Sequence, residues 1–201
     1  MWVGTRDAGI NRYNPLSVDF QFLPTNHTPR QIYTDSSGVV WFGTDGGGLY
    51  KWEMETGRIT NYRSKDSDPS TLSNNFVYSI TEDSEGNLWV GTDGGGLNVF
   101  LKDKGKFERF KHDPKDPRTI GSDNVWAVYV DSRGTLWVGT ELGGLARWIP
   151  GTRSFVRYRS VPGNPHSLNG NSVRSILEDS KGTLWIGTWD GGLSRYRPDS
   201  D

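Results

Sequence analysis

Asp45-Gly46-Gly47-Gly48 and Asp93-Gly94-Gly95-Gly96 have the composition of phosphate-cradling loops. Such a loop needs a following helix whose N-terminus faces the anion. Here Leu49-Tyr50-Lys51-Trp52 and Leu97-Asn98-Val99-Phe100 follow, and both read as strands. The glycines therefore read as tight turns, where a positive φ costs glycine little. Carboxylates are abundant, but glycosidic hydrolysis needs two of them facing each other at a defined separation, and no such pair stands out. His27, His112 and His166 fall at unrelated loop positions, which suits solvated histidines rather than metal ligands. Asp66/Asp68 and Asp113/Asp116 lack the spacing of a calcium loop and read as turn initiators. The expectation is no catalytic residue, no metal site and no cofactor.

What positions these residues is a repeat. Trp-(Val/Phe/Ile)-Gly-Thr, then a glycine-rich turn and Leu or Ile, starts at Trp2, Trp41, Trp89, Trp137 and Trp185. From Trp41 to Trp185 the starts are 48 residues apart; Trp2 and Trp41 are separated by 39. A period of that size marks a repeat architecture. In the copy from Val77 to Lys111, strand A is Val77 to Glu82 and Asp83-Ser84-Glu85-Gly86 is a turn. Asn87 to Thr92 is strand B, Leu97 to Leu101 strand C and Phe107 to Lys111 strand D. An aromatic follows Leu or Ile of strand C by three residues in every copy: Tyr13, Trp52, Phe100, Trp148 and Tyr196. Helical periodicity is absent over any useful length. Four short antiparallel strands per repeat is the blade of a β-propeller.

The expected fold is all-β, a single propeller region over 1–201. Its blades run over 1–23 (partial), 29–63, 76–111, 124–158 and 172–201 (partial). The first blade lacks strand A and the last lacks strand D, and both own strands B and C. They cannot merge into one shared blade, so an arc of a larger ring is preferred over a closed five-blade ring. The chain begins in mid-repeat and reads as a piece of something longer.

Composition agrees. Of 201 residues only 33% are hydrophobic, yet 26 are Gly and nine are Trp, which fits few large core side chains and many turns. With 23 basic and 24 acidic residues interspersed, the net charge of −1 argues against nucleic acid or direct membrane contact. No cysteine is present, no apolar stretch would span a bilayer, and no signal peptide is visible at the N-terminus.

Val173-Arg174-Ser175-Ile176-Leu177-Glu178-Asp179 through Leu193 resembles the two-component regulator propeller repeat, roughly V-x-x-I-x-E-D-x-x-G-x-L-W-V/I-G-T-x-x-G-G-L. The resemblance covers nearly the whole chain. It implies a periplasmic or extracellular sensor region of a hybrid histidine kinase, many of which detect oligosaccharides. No kinase or DNA-binding segment lies in these residues. The Asp-Ser-x-Gly turns differ from the Asp-box of sialidases, where Asp stands five residues before the aromatic; here it stands six before.

Subtracting the repeat leaves Trp126 and Trp189. Trp126 stands where other copies have Arg30, Tyr78 and Arg174, and Trp189 replaces the acidic residue of Asp45, Asp93 and Glu141. Strands alternate in direction, so D–A loops and B–C turns emerge on one face, with strand A lining the channel. That face is expected to gather Arg30, Tyr78, Trp126, Arg174, Asn75, Asn124 and Trp189, with Asn171 and an outer acidic set nearby. Aromatic platforms beside amides and arginines suit a sugar. The expected ligand is an oligosaccharide. The alternative is a protein-interaction or dimerisation scaffold, as a homodimer or with the remainder of a larger propeller. A propeller lyase or hydrolase is the least supported reading.

Overall fold

A computed structural model describes residues 1–6, 9–14, 19–23 and 25–196. Pro24 in the short first D–A loop, and the tail 197–201, lie outside the described residues. All regular structure there is antiparallel strand, in five sheets. The first sheet holds β1 (Trp2–Thr5), β2 (Gly9–Asn14) and β3 (Asp19–Leu23). The second holds β4 (Pro29–Thr34), β5 (Val40–Thr44), β6 (Gly48–Glu53) and β7 (Arg58–Tyr62). The third holds β8 (Val77–Glu82), β9 (Leu88–Thr92), β10 (Gly96–Leu101) and β11 (Lys106–Phe110). The fourth holds β12 (Val125–Val130), β13 (Leu136–Thr140), β14 (Gly144–Ile149) and β15 (Ser154–Tyr158). The last holds β16 (Val173–Glu178), β17 (Leu184–Thr188) and β18 (Gly192–Arg195).

Each sheet packs on the next through its innermost strand, β1 on β4, β4 on β8, β8 on β12 and β12 on β16. Among the described residues, no comparable packing joins the first sheet to the last. The chain is a partial β-propeller, an open arc. Leu193 shows the consequence. Its counterparts Leu49, Leu97 and Leu145 are at most 1% exposed under a following blade, whereas Leu193 is 61% exposed.

The Trp-x-Gly-Thr motif is explained by contacts between and within blades. Trp41, Trp89 and Trp137 are buried, and each meets the strand-C aromatic of the next blade. The ring centres are 5.6 Å apart for Trp41–Phe100, 5.5 Å for Trp89–Trp148 and 4.8 Å for Trp137–Tyr196. Trp2, at one end of the arc, is half-buried against Trp52 at 5.5 Å, and Trp185, at the other, is also half-buried. Each later indole Nε1 also donates to the Asp six residues upstream. The distances are 2.8 Å for Trp41–Asp35, 2.8 Å for Trp89–Asp83, 2.9 Å for Trp137–Asp131 and 2.9 Å for Trp185–Asp179. Asp Oδ1 meanwhile accepts backbone N–H groups two and four residues on, so one carboxylate closes the A–B turn and anchors the core indole. Glycine is needed at position 43 because a Cβ there would lie 2.5 Å from Val77 of the next blade. The motif Thr is satisfied inside the B–C turn, as in Thr44 Oγ1 to the Gly48 carbonyl at 2.9 Å.

Candidate functional site

Four β-bulges shape the face on which the D–A loops and B–C turns emerge. In every strand A the ladder skips one residue, between Pro29 and Gln31, Val77 and Ser79, Val125 and Ala127, and Val173 and Ser175. The skipped residues are Arg30, Tyr78, Trp126 and Arg174. A bulge leaves its extra residue unpaired and re-aims the side chain. The position singled out in the sequence by its changing chemistry is thus the position that the backbone turns out of the ladder.

The B–C turns bring a second row of side chains beside the bulges. The N–H groups of Asp45, Asp93, Glu141 and Trp189 bond to the carbonyls of Thr28, Phe76, Asn124 and Ser172, at 3.0, 3.0, 2.9 and 2.8 Å. Where the turn residue is acidic, it engages its neighbours. Arg30 makes a two-point pair with Asp45, 2.7 Å from Nε and 2.5 Å from the terminal nitrogen, and lies 5.4 Å from the Tyr78 ring centre. The hydrogen bond to Asp45 raises the Arg30 pKa. Tyr78 donates to Asp93 at 3.3 Å; burial, then the Asp93 charge, raises its pKa. Asn124 donates to Glu141 at 2.6 Å.

The last blade differs. Trp189 replaces the acid, and Arg174 has no carboxylate or hydrogen-bond acceptor among the described residues. Its guanidinium instead lies between two indoles, 3.1 Å from the Trp126 ring centre and 4.9 Å from that of Trp189. Trp189 is 76% exposed, and Arg174 is exposed as well. A stacked guanidinium keeps its edge N–H donors for an incoming acceptor.

The other expected members divide. Asn75 serves the fold: its Oδ1 accepts the Ser64 N–H at 2.8 Å and its carbonyl accepts the Gly48 N–H at 2.8 Å. Asp123 and Asn171 repeat this clasp, with Oδ1 accepting from His112 at 2.7 Å and from Ser160 at 2.8 Å. Asn124 occupies the next repeat position, that of Phe76 and Ser172, and is not equivalent to Asn75. Of the loop histidines, His112 bonds through Nδ1 to the Ile120 carbonyl at 2.8 Å. No group of three His, Asp or Glu is gathered as a metal site among the described residues.

A groove of about 570 Å³ lies between the loop at Val161–Asn169 and the edge of β18, and none of Trp126, Leu142, Arg174 and Trp189 lines it. In preceding blades strand D docks on that kind of loop: Phe107 N–H bonds to Ser70 O at 2.8 Å and Phe155 N–H to Arg118 O at 2.7 Å. The groove belongs to the open end of the arc, so the bulge face remains the candidate site. Leu142, in the B–C turn of the fourth blade, also stands on that face and is 67% exposed. The sequence carried a signal for it, since Leu142 occupies the place of Gly46 and Gly94.

The family model described as two component regulator propeller matches residues 23–46, 71–94, 119–141 and 167–190. These segments are two-component regulator propeller repeats. Each match runs through strands A and B to the B–C turn, so each contains one bulge. No curated protein matches the chain. Among solved structures, it is similar to the extracellular domain of the one component system BT4673 from B. thetaiotaomicron, with 23% identity and a TM-score of 0.58 over 99% of this chain and 32% of that one. It is also similar to the extracellular domain of the hybrid two component system BT3049 from B. thetaiotaomicron, with 21% identity and a TM-score of 0.51 over 96% of this chain and 38% of that one. A third similar structure is virginiamycin B lyase from Staphylococcus aureus, with 16% identity and a TM-score of 0.67 over 98% of this chain and 73% of that one. At these identities the likeness shows the fold alone. The chain spans about a third of the length of the extracellular domains it matches.

Proposed function

We propose that this arc is the non-catalytic, extracytoplasmic ligand-sensing part of a two-component signalling protein, and that its ligand is an oligosaccharide bound on the bulge face. The repeats and the extracellular domains of one- and two-component systems among the similar structures support the signalling class. The observation that carries the site is Arg174 held between Trp126 and Trp189 without a carboxylate partner. Indoles offer apolar faces to sugar C–H groups, while the guanidinium edge donates to hydroxyls or to an acidic substituent. Arg30, at the same repeat position, is quenched by Asp45 and contributes less. The acids of the B–C turns are engaged, Asp45 by Arg30, Asp93 by Tyr78 and Glu141 by Asn124, and this favours sensing over turnover. Calorimetric titration of an oligosaccharide panel against the wild type and Trp126→Ala tests the reading. Loss of about 1–3 kcal/mol of binding in the variant supports it, by analogy with aromatic stacking on bases. Equal affinities, or cleavage of a panel member, overturn it.

A second reading, an interface to a second copy or to further blades, is favoured by Leu177 and Leu193, both 61% exposed on the last blade. Bare apolar sheet surface of this kind drives association.

A further inference from the structure

Leu142 has a φ of 59°, in the left-handed region, at the turn position where Gly46 (76°) and Gly94 (72°) stand in earlier blades. A residue with a branched side chain adopts this backbone only under strain. Burial does not offset that strain, because the side chain is 67% exposed. Neither the turn nor the core therefore accounts for leucine here.

Its surroundings do. Leu142 N–H donates to Ser172 Oγ at 3.4 Å, and Trp189 N–H donates to the Ser172 carbonyl at 2.8 Å. Two adjacent blades thus bring Leu142 and the exposed Trp189 to either side of one small residue, next to the indole-stacked Arg174. Between the second and third blades the same location is built the other way round. There the turn residue is Gly46, and Phe76, the counterpart of Ser172, supplies the apolar group; a Cβ on Gly46 would lie 3.6 Å from its ring. An exposed apolar side chain stands at both junctions but comes from opposite partners. At the last junction it is the strained one.

We infer that Leu142 is a ligand-contacting residue which, with Trp189, forms an apolar wall of the bulge-face site. The inference rests on the oligosaccharide reading above. The wall would take the nonpolar part of the ligand, a sugar C–H face or an acetyl methyl, while Arg174 takes its hydroxyls or carboxylate.

Leu142→Gly fits the backbone and removes the wall; Leu142→Asn tolerates the same φ and makes the wall polar. Both variants, with the wild type and Trp126→Ala, are titrated with neutral, N-acetylated and uronic-acid-containing oligosaccharides, and melted in parallel. The expected result for both Leu142 variants is an affinity at least fivefold weaker, with Tm equal to or above the wild type for Leu142→Gly. Affinities within twofold of wild type in both, while Trp126→Ala loses binding, overturn the role of Leu142 and leave the oligosaccharide reading standing. A wild type that binds no panel member overturns both.

Discussion

Lys102 Nζ lies 2.8 Å from Asp35 Oδ2, so a side chain leaving strand C of the third blade ties down the A–B turn of the second. The same ammonium stands 2.7 Å from Glu82, and Glu82 accepts from the Ser36 N–H at 2.7 Å and the Ser36 hydroxyl at 3.0 Å. Asp35, with only 1% of its side chain exposed, also anchors Trp41. One buried carboxylate therefore couples a turn, a core indole and a neighbouring blade.

Burial pushes the Asp35 carboxyl up, but bonds from Lys102, Ser37, Trp41 and the Val39 N–H outweigh it and bring the pKa from 3.8 to about 2. A group depressed in the folded state stabilises fully above its unfolded value, and that contribution is lost as pH falls through the folded value. Stability is accordingly expected to drop by about 2 kcal/mol between pH 4 and pH 2 from this group. Lys102→Met should flatten that segment of the urea-midpoint-against-pH curve and cost about 1–3 kcal/mol at neutral pH. A curve of unchanged slope in the variant would refute the assignment to this pair.

The indole–carboxylate pair separates bulk from bonding in the core. Trp137→Ala removes both and is expected to cost about 3–5 kcal/mol. Trp137→Phe keeps most of the contact with Tyr196 but leaves Asp131 Oδ2 without its donor, and should cost about 1–3 kcal/mol. The equivalent Trp185→Phe, on the half-buried last blade, should cost less than either. Chemical denaturation of the three variants checks the order; a harmless Trp137→Phe would show that the bond from Nε1 adds nothing.

The blades were legible in sequence because the same packing problem is solved with the same residues each time, as in Trp89 and Trp137. The D–A clasp was not. Asn75 has the composition of a ligand residue, and only the approach of the Ser64 N–H, eleven positions upstream, shows that its oxygen is occupied. The six-residue spacing from Asp to Trp was visible, but its cause was not, since a spacing carries no direction for an indole N–H. The bulges were equally hidden. One extra residue in a ladder leaves no mark on composition, although it aims Arg30, Tyr78, Trp126 and Arg174 outward. The pairing of Arg30 with Asp45, and its absence at Arg174, follow from the single exchange of an acid for Trp189.

The open end of the arc yields a solution property. Leu193 presents apolar surface that the following blade covers in the case of Leu49, Leu97 and Leu145, and Leu177 on the same blade is equally exposed. The isolated chain is expected to self-associate in light scattering after size exclusion, and Leu193→Lys with Leu177→Lys should lower its apparent mass without lowering Tm. A monodisperse wild-type monomer at high concentration would show that this surface does not drive association.

Asn75 and Trp126 should fail in opposite ways. Asn75→Ala removes the acceptor for the Ser64 N–H in a half-buried loop, so it should lower stability by about 1–2 kcal/mol. It should leave oligosaccharide affinity unchanged, because its side-chain oxygen is committed to the D–A loop. Trp126→Ala removes a partly exposed ring from an unpaired bulge position, outside the three buried clusters, so the loss of stability should stay within about 1 kcal/mol. The same change frees the Arg174 guanidinium from one of its two indoles, and the orientation of its donors is lost with the stacking surface. Affinity should therefore fall more for a uronic-acid-containing ligand than for its neutral counterpart. Melting curves and titrations on the two variants, read together, distinguish a site built on the bulge residues from one built on the loop amides. A binding loss in Asn75→Ala at wild-type stability would move the site to the amides.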